Sequence, residues 1–254
     1  MRRLVVVIPH RREVALLKQA VAACAPWPVV VVDDSDAGAP PLPTARVRLG
    51  GGSGFARAAN AGLAWAEGEG YAWALVLNDD ARPEPGCIDA LLAAVGPGVG
   101  AVGPVLVGPA GVESAGIRFS ERTARLKQET RPPAARRPVD ALSGACLLLP
   151  SDRRFDEGFG HGMEDVALCR ALRREGLAVL VEPGARCWHQ GGATVSRRSA
   201  EAVRHAVAGH LRLVGEDRAR RGLVLAYALG QAAREDWSVG RLRAVWAGWR
   251  GSAG

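Results

Sequence analysis

The sequence predicts an α/β domain with a mostly parallel sheet flanked by helices, followed by a helical C-terminal tail. Short apolar runs alternate with helical patterns through the first half, several of these runs end in acidic residues, and the pattern is helical from Ser199 onward. Continuous apolar runs are typical of buried parallel strands. Alternation of strand and helix with short loops favours right-handed crossover connections. A chain of 254 residues is long enough for one domain of this kind.

In the first half, each apolar run predicts a strand and each stretch with helical periodicity predicts a helix. The predicted strands are Leu4–Ile8, Val29–Val32, Arg46–Leu49 and Trp73–Leu77. The predicted helices are Glu13–Ala23, Phe55 to about Glu67, and Pro85 through Val95, with a loop at Pro40–Pro43.

The second half has more Gly and Pro and predicts a mixed arrangement. Its predicted elements are a strand at Gly98–Val107, a hairpin at Ala110–Ser120, a mobile loop at Glu121–Pro138, a strand at Ala141–Leu149, a helix at Glu164–Glu175 and a strand at Ala178–Val181. We expect residues 1–195 to form one domain and residues 196–254 to form a helical, basic extension packed on it.

Composition narrows the class of protein. The five cysteines are scattered without a CxxC pair, which predicts free thiols in a reducing compartment. The first apolar run, Leu4–Ile8, is too short for a secretory signal, and no run approaches the roughly 18 residues of a membrane-spanning helix. We therefore expect a cytoplasmic protein.

The net charge of +7 is concentrated at the C-terminal end, where 11 arginines stand against 5 acidic residues from Ser196 onward. A high arginine content is a weak indication of nucleic-acid binding. The tail has no RNA-binding motif, and acidic residues at the edge of the sheet repel a phosphate backbone. We therefore expect no nucleic-acid partner.

Two acidic clusters follow predicted strands. Asn78-Asp79-Asp80 comes directly after Trp73–Leu77, and Asp33-Asp34-Ser35-Asp36 comes directly after Val29–Val32. Such residues suit a solvated turn, but ligands of open α/β sheets bind beyond the carboxyl ends of strands. There, Asp80 with Asn78 could hold Mg²⁺ or Mn²⁺ on a diphosphate, and the second cluster could contact a pyrimidine base and a ribose. Both interpretations stay open at this point.

The glycine-rich segment Gly50–Gly54 is not a phosphate loop of a known type. It lacks the GxGxxG register, and no Gly-Lys-Ser/Thr follows it. We interpret the glycines as allowing the backbone to approach a ligand closely, with Arg57 and Asn60 on the following helix as hydrogen-bond donors.

Glu164-Asp165 begins a predicted helix, and His189 follows a predicted strand. Acidic residues are stabilised at helix N-termini, and that position predicts a lowered pKa for Asp165. The functional interpretation makes Asp165 a general base. His189 could join Asp80 on a divalent ion and would favour Mn²⁺ somewhat over Mg²⁺. The spacing of His189 from the nearby cysteines matches no standard zinc pattern.

Eight short motifs follow one another along residues 1 to about 195, namely Val31–Asp34, Gly54–Gly62, Leu77–Asp80, Gly100–Pro104, Leu142–Cys146, Phe155–Phe159, Met163–Leu168 and His189–Gly192. Each is loose alone, but their order is specific. By these motifs the chain resembles the inverting family-2 glycosyltransferases of the GT-A fold, especially their bacterial rhamnosyltransferase-like branch. The resemblance implies a Rossmann-like nucleotide-binding half and a mixed acceptor half.

The resemblance also implies an activity. A sugar, rhamnose-like among the candidates, would move from a dTDP- or UDP-sugar to a hydroxyl of a glycan, lipid-linked or small-molecule acceptor, with inversion and with a divalent metal (Mn or Mg). The implied site residues are, for catalysis, Asp165 with Glu164; for the nucleotide sugar, Asp33, Asp34, Arg57, Asn60, Asn78, Asp79, Ser143 and Gly144; and for the metal, Asp80 and His189.

The chain departs from the family pattern at three places. Asn78 stands where the first Asp of the family's DxD motif is expected, and the role of Asp79 is left open. The loop after Asp34 is shorter than usual. His161-Gly162 replaces an aromatic residue before the Glu-Asp pair. The last two departures bear on which acceptor is used.

Two alternatives of other classes remain. One is a non-catalytic relative that binds a nucleotide sugar without transferring it. The other is a sugar nucleotidyltransferase, which usually has a glycine-rich stretch ending in Arg or Lys after its first strand. Pro9–Arg12 does not provide this stretch.

The end of the tail has a basic amphipathic pattern, in which arginines alternate with Leu242, Val245, Trp246 and Trp249. This pattern suits the surface of an anionic membrane, so the protein is expected in the cytoplasm with peripheral contact at the inner face of the plasma membrane. A helix packed on the domain, or on the partner in a homodimer, explains the pattern equally well.

Overall fold

The structure is a computed structural model, and it describes residues 3–36, 38, 42, 44–121, 125–159, 162–191, 200–235 and 239–251. Most of the loop predicted at Pro40–Pro43, together with His161 and Gly192, lies outside these residues. The boundary predicted between residues 195 and 196 also lies outside them.

The first half alternates strand and helix as predicted. Its elements are β1 (Leu4–His10), α1 (Val14–Ala23), β2 (Val29–Asp33), β3 (Ala45–Arg48), α2 (Phe55–Gly68), β4 (Trp73–Leu77), β5 (Ala81–Pro83) and α3 (Cys87–Ala93).

The second half is mixed and ends in helices. Its elements are β6 (Val99–Gly108), β7 (Gly111–Ser114), β8 (Ile117–Phe119), β9 (Leu126–Gln128), β10 (Arg137–Pro138), β11 (Cys146–Pro150), α4 (Glu164–Arg174), β12 (Ala178–His189), α5 (Ala200–Val214), α6 (Arg218–Glu235) and α7 (Val239–Gly251).

Within the described part of the chain, ten strands form the central sheet. Its main order is β10-β12-β6-β11-β4-β1-β2-β3, with β5 added to β12 and β7 added to β6. Strands β3, β2, β1 and β4 are mutually parallel. β11 runs antiparallel between β4 and β6, and β12 is parallel to β6. The predicted parallel half and mixed half are therefore both present.

Both faces of the parallel half are covered by helices and buried. Successive side chains of a strand point to opposite faces, so each strand contributes to two cores. In β1, Val5 and Val7 enter the core that also contains residues of α2 and α4, and Val6 enters the core with residues of α1 and α3. A fully buried Val or Leu side chain stabilises the folded state by roughly 1.5–3 kcal/mol relative to an exposed one. Gly62 of α2 lies so close to the sheet that a Cβ there would be 2.2 Å from Val7 Cγ1.

Four predictions for the second half were wrong in part. The hairpin at Ala110–Ser120 does not form, because β7 pairs with β6 and β8 pairs with β9. The loop Glu121–Pro138 contains β9 and β10. The strand expected at Ala141–Leu149 is confined to β11. β12 continues past Val181 to His189. Its register with β6 shifts between Glu182 and Arg186, and the pairing resumes at Arg186.

The C-terminal helices contact the sheet domain at defined points. Arg170 of α4 donates to Leu213 O of α5 at 2.7 Å, and Arg212 of α5 forms an ion pair with Asp156 at 3.2 Å. Val207, Val224 and Val245 form a small apolar core between α5, α6 and α7. No described helix is both long enough and apolar enough to cross a bilayer. All five cysteines are free and buried.

Candidate active site

The parallel register brings strand ends together at one edge of the sheet, which we call the carboxyl edge. His10, Asp33 and Arg48 are register neighbours at the ends of β1, β2 and β3. β4 ends directly before Asn78, and β12, which runs in the same direction, ends at His189. Ligands of open α/β sheets bind at this edge, and most of the predicted site residues lie along it.

Asp33 is fully buried and held by basic side chains. Its Oδ2 accepts from Arg48 Nη1 at 2.7 Å, and Arg46 Nη1 lies 4.0 Å away. Its Oδ1 accepts from the hydroxyl of Ser35 at 2.5 Å. A buried carboxylate needs such partners. Contact between Asp33 and a nucleotide base stays a prediction, and Arg48 lies beside it at the same strand ends.

Asp34 anchors the glycine-rich loop to the sheet. Its Oδ1 accepts from the backbone N–H of Ser53 at 3.1 Å, and its Oδ2 accepts from that of Gly54 at 3.3 Å. These N–H groups precede α2 and would otherwise lack helical partners. The loop donors at these two positions therefore bond to Asp34 in the structure, and a direct role for Asp34 toward the nucleotide sugar stays a prediction.

Arg57 and Asn60 lie on α2, beside a surface groove of about 490 Å³ between this helix and residues 154–157. Asn60 Oδ1 accepts from Phe155 N at 2.8 Å, and its Nδ2 donates to Phe155 O at 2.9 Å. The amide thus pins the segment that leads toward α4. Arg57 is exposed in the same groove. Contact of either residue with the nucleotide sugar stays a prediction.

Asp79, whose role the sequence left open, pairs with His10. Asp79 Oδ2 lies 2.7 Å from His10 Nδ1. The ring of His10 is buried, and its Nε2 has no hydrogen-bond partner within the described residues. Beside this pair, Asn78 N donates to Ala145 O at 3.0 Å, which joins the loop after β4 to the segment before β11.

Asp80 and His189 meet because β5 pairs with the end of β12. Ala81 is the register partner of His189, and Gln190 N donates to Asp80 O at 3.1 Å. His189 Nε2 lies 3.4 Å from Asp80 Oδ1, and its Nδ1 lies 2.9 Å from Glu113 Oε2. Burial by itself raises the pKa of Asp80, but the contact with His189 and backbone N–H groups outweigh burial and lower it.

The residues present fit a divalent cation that is shared with a ligand. Within the described residues, no three His, Cys, Asp or Glu side chains form a group that could hold a metal ion on its own. Asp80 and His189 provide one carboxylate and one imidazole, which suit Mn²⁺ and also accept Mg²⁺. Mg²⁺ is usually bound by one or two carboxylates together with substrate phosphates and water. Two protein donors are therefore sufficient when a diphosphate supplies the others.

Asp165 and Glu164 begin α4 at the same edge. Asp165 Oδ2 accepts from Gly144 N at 2.8 Å, and its Oδ1 accepts from Val166 N at 2.7 Å. Burial raises the pKa of Asp165 despite these N–H groups. Burial together with the neighbouring Asp165 raises the pKa of Glu164 to about 8. The lowered pKa expected for Asp165 at a helix N-terminus is therefore wrong, because desolvation exceeds the effect of the helix end.

Gly144 and Ala145 connect the two acidic parts of the site, and Ser143 fixes the turn that contains them. Gly144 N bonds to Asp165, and the next residue, Ala145, accepts from Asn78 N. Ser143 Oγ accepts from Ala145 N at 3.3 Å, which fixes the turn before β11. Two adjacent residues thus hold the candidate base and the candidate metal loop in a common frame.

The structure adds three residues that the sequence analysis missed, namely His10, Arg48 and Glu113. His10 and Arg48 end β1 and β3, so the strand-end rule that selected Asp33 applied to them as well. Glu113 lies on β7 within the segment predicted as a separate hairpin. No local pattern marks Glu113, because its contact with His189 depends on β7 pairing back onto β6.

The fold is that of the GT-A glycosyltransferases. A structure of GalNAc-T7 with UDP, GalNAc and Mn²⁺ is similar to this chain with a TM-score of 0.66 at 13% identity. The alignment covers 95% of this chain and 54% of that one. A mannosyltransferase from Pyrobaculum calidifontis, in complex with GDP-Man and Mn²⁺, has a TM-score of 0.57 at 15% identity, covering 99% and 86%. At these identities the likeness shows the fold alone.

The chain belongs to glycosyl transferase family 2. The family model with that description matches residues 5–149, which confirms the resemblance seen in the sequence motifs. The matched residues contain β1 through most of β11, and with them Asp33, Asp80 and Gly144. Asp165 and His189 follow the matched region.

Two curated relatives, from Mycobacterium tuberculosis strains CDC 1551 and H37Rv, bear the name N-acetylglucosaminyl-diphospho-decaprenol L-rhamnosyltransferase. Each is 32% identical to this chain, and the alignment covers 54% of this chain and 52% of the relative. The chain spans about half the length of the curated relatives it matches.

Proposed function

We propose that the protein is an inverting glycosyltransferase that moves a sugar from a dTDP- or UDP-sugar to an acceptor hydroxyl. The observation that carries this proposal is the pair of backbone hydrogen bonds made by Gly144 and Ala145, which we call the joint. One hydrogen bond from this joint holds the carboxylate of Asp165, and the other holds the loop of Asn78 to Asp80. The candidate base and the candidate metal loop are thus bonded to adjacent residues, which supports a displacement at a sugar carbon, because that reaction needs both groups in a fixed arrangement.

The base is suited to its task by its surroundings. The raised pKa of Asp165 makes its carboxylate a stronger proton acceptor than an exposed aspartate. The N–H of Gly144 fixes Oδ2, so the carboxyl group has a defined orientation. As the acceptor oxygen bonds to the anomeric carbon, its proton passes to Asp165. The bond from that carbon to the diphosphate breaks on the opposite face, and one displacement inverts the configuration.

The leaving group is a nucleoside diphosphate with developing negative charge. Asp80 and His189 would hold a divalent ion, and when bound this ion neutralises that charge as a Lewis acid. Asp33 with Arg48, and His10 with Asp79, lie along the same strand ends and would surround the nucleoside. The names of the curated relatives support a rhamnose-like sugar and a lipid-linked acceptor carrying a diphosphate; glycan and small-molecule acceptors remain alternatives.

Replacing Asp165 by Asn tests the assignment of the base. The amide is isosteric, and its oxygen can still accept from Gly144 N, but it cannot take a proton. We expect kcat to fall by about 10²–10⁴-fold, while the affinity for the nucleotide sugar with Mn²⁺ changes little. Asp140→Asn, at a carboxylate that pairs with Arg173, is the matched control and should keep its activity. Turnover close to that of the unmodified protein in D165N would refute the role.

Binding and product assays on the unmodified protein separate the two alternative classes. A non-catalytic relative would bind the nucleotide sugar, seen as a rise in Tm with ligand, and would transfer nothing to any acceptor. A sugar nucleotidyltransferase would release pyrophosphate from a nucleoside triphosphate and a sugar phosphate. The presence of both Asp165 and His189 favours transfer over non-catalytic binding, and Pro9–Arg12, which is not glycine-rich, disfavours a nucleotidyltransferase.

We also propose that the tail docks on anionic membrane from the cytoplasmic side. On α7, Arg243, Trp246 and Arg250 are exposed at helical spacing, and the Arg250 guanidinium lies 5.7 Å from the centre of the Trp246 ring. Each basic residue near an anionic surface contributes about 1 kcal/mol. Residues 196–254 would then be an extension of a catalytic domain formed by residues 1–195, braced by the contact of Arg212 with Asp156.

Vesicle flotation tests the membrane proposal. With phosphatidylglycerol vesicles we expect recovery of the protein to fall when Arg243 and Arg250 are both changed to Glu. Changing Arg218 to Glu on α6 is the control, since this residue is exposed but lies on a different helix. Equal recovery of the unmodified protein and the double variant would refute docking through α7. A mass of twice the monomer, lost in the same double variant, would instead indicate a homodimer contact.

A further inference from the structure

His189 is bracketed by two carboxylates that come from opposite neighbours of its strand. On one side, β5 pairs with the end of β12 and brings Asp80 next to the ring. On the other side, β6 turns back into β7, and Glu113 of β7 reaches the ring. Of these three residues, Asp80 and His189 belong to the sequence motifs, and Glu113 lies outside them.

The two contacts differ in length, and the difference orients the ring. Nδ1 lies 2.9 Å from Glu113 Oε2, which is the usual length of an N–H···O hydrogen bond. Nε2 lies 3.4 Å from Asp80 Oδ1, which is longer than a good hydrogen bond. In a neutral ring with a single proton, the proton belongs on Nδ1. The lone pair of Nε2 then faces Asp80, where a cation is expected.

The backbone around this contact leaves room for it. Gly108 ends β6 beneath the pair, and a Cβ at this position would lie 3.3 Å from His189 O and 3.6 Å from Glu113 Oε2. The first contact is tight and the second is ordinary van der Waals contact, so a side chain at Gly108 would press on the backbone of His189. Glu113 is itself largely buried, with 17% of its side chain exposed, so water competes weakly for its oxygens.

We propose that Glu113 is a positioning residue for the metal site, resting on the proposed metal-assisted function. By accepting the Nδ1 proton of His189 it fixes the tautomer and the plane of the ring, and leaves Nε2 to ligate the cation together with Asp80. Carboxylates that hold the outer nitrogen of a metal-bound histidine raise its basicity and hold its orientation, and losing one typically costs 10–100-fold in metal affinity.

The test measures Mn²⁺ binding in the presence of UDP, from the electron paramagnetic resonance signal of free Mn²⁺, so no turnover is needed. In E113A we expect Mn²⁺ affinity to fall by about 10–100-fold, with little change in Tm or in UDP binding in EDTA. E113Q keeps an oxygen that accepts from Nδ1, so it should retain most of the affinity. Glu182→Ala is the matched control, since its side chain is 12% exposed and pairs with Arg136.

A second readout follows the ring itself. In ¹⁵N-histidine-labelled protein with Mg²⁺ and UDP, we expect a slowly exchanging proton on Nδ1 of His189 that disappears in E113A and persists in E113Q. Equal Mn²⁺ affinity in E113A and the unmodified protein would overturn the role of Glu113 and leave the proposed function unaffected. Equal, complete loss in E113A and E113Q would make Glu113 a direct ligand and also overturn it. Failure of the unmodified protein to bind Mn²⁺ with either UDP or dTDP would instead overturn the metal site on which both proposals depend.

Discussion

Glu164 is expected to make the folded protein less stable as the pH rises. It is buried, its Oε2 has no hydrogen-bond partner within the described residues, and its pKa is raised from 4.5 to about 8. Between these values the folded chain keeps a proton that the unfolded chain has lost. The stability linked to this group is therefore complete below pH 4.5 and is lost as the pH rises to about 8.

The pKa values set the size of this effect. At roughly 1.4 kcal/mol for each pH unit between the folded and unfolded pKa, the loss in free energy of unfolding reaches at most about 5 kcal/mol. Replacing Glu164 by Gln keeps the shape and removes the titration. We expect E164Q to be more stable than the unmodified protein by roughly 3–5 kcal/mol at about pH 8.5, and nearly equal to it at about pH 5. Asp165, whose pKa is also raised, adds a change of the same sign to both proteins.

Urea unfolding at several pH values measures this difference. The control is Glu69→Gln, at an exposed carboxyl, which should follow the unmodified protein at every pH. If E164Q and the unmodified protein lose stability in parallel between about pH 5 and 8.5, Glu164 is ionised in the folded state and its burial does not raise its pKa.

Two further predictions concern the carboxyl edge. Asp80→Ala should remove the Mn²⁺ dependence of UDP binding, measured by calorimetry with and without Mn²⁺. Asp89→Ala, at an exposed carboxyl on α3, is the control and should leave this dependence intact. Undiminished Mn²⁺ dependence in D80A would contradict the metal assignment. Arg48→Met should lower the free energy of unfolding by about 1–3 kcal/mol, because it leaves Asp33 buried without its ion-pair partner at 2.7 Å. Arg46→Met, which removes a partner 4.0 Å away, should cost less than about 1 kcal/mol in the same urea titration, and equal costs would contradict the assignment of Arg48 as the main partner.

Strands that are buried on both faces could be predicted from local sequence. β4 was predicted at its observed bounds, since five apolar residues are followed at once by Asn and Asp. The short strands could not be predicted. β5 has three residues and contains a proline, and it exists because the end of β12 offers it a partner. β9 and β10 are short and largely polar and resemble a loop until they pair.

The candidate site divides in the same way. The strand-end rule located Asp33 and Asp80, because carboxyl ends of parallel strands share an edge whatever the loops do. The environment of each group could not be predicted. The pKa of Asp165 was expected to fall at a helix N-terminus, and burial raises it. Glu113 escaped notice because its partner, His189, is distant in the chain.

The sequence by itself determined the alternation of strands and helices, the positions of the strand ends, and the family to which the chain belongs. These depend on apolar periodicity and on short motifs, which are local properties. The tertiary structure decided that Asp79 pairs with His10, that Asp165 is held by Gly144, and that His189 lies between Asp80 and Glu113. Such contacts, and the desolvation that shifts pKa values, are sums over neighbours from distant segments, so they exist only once the sheet has formed.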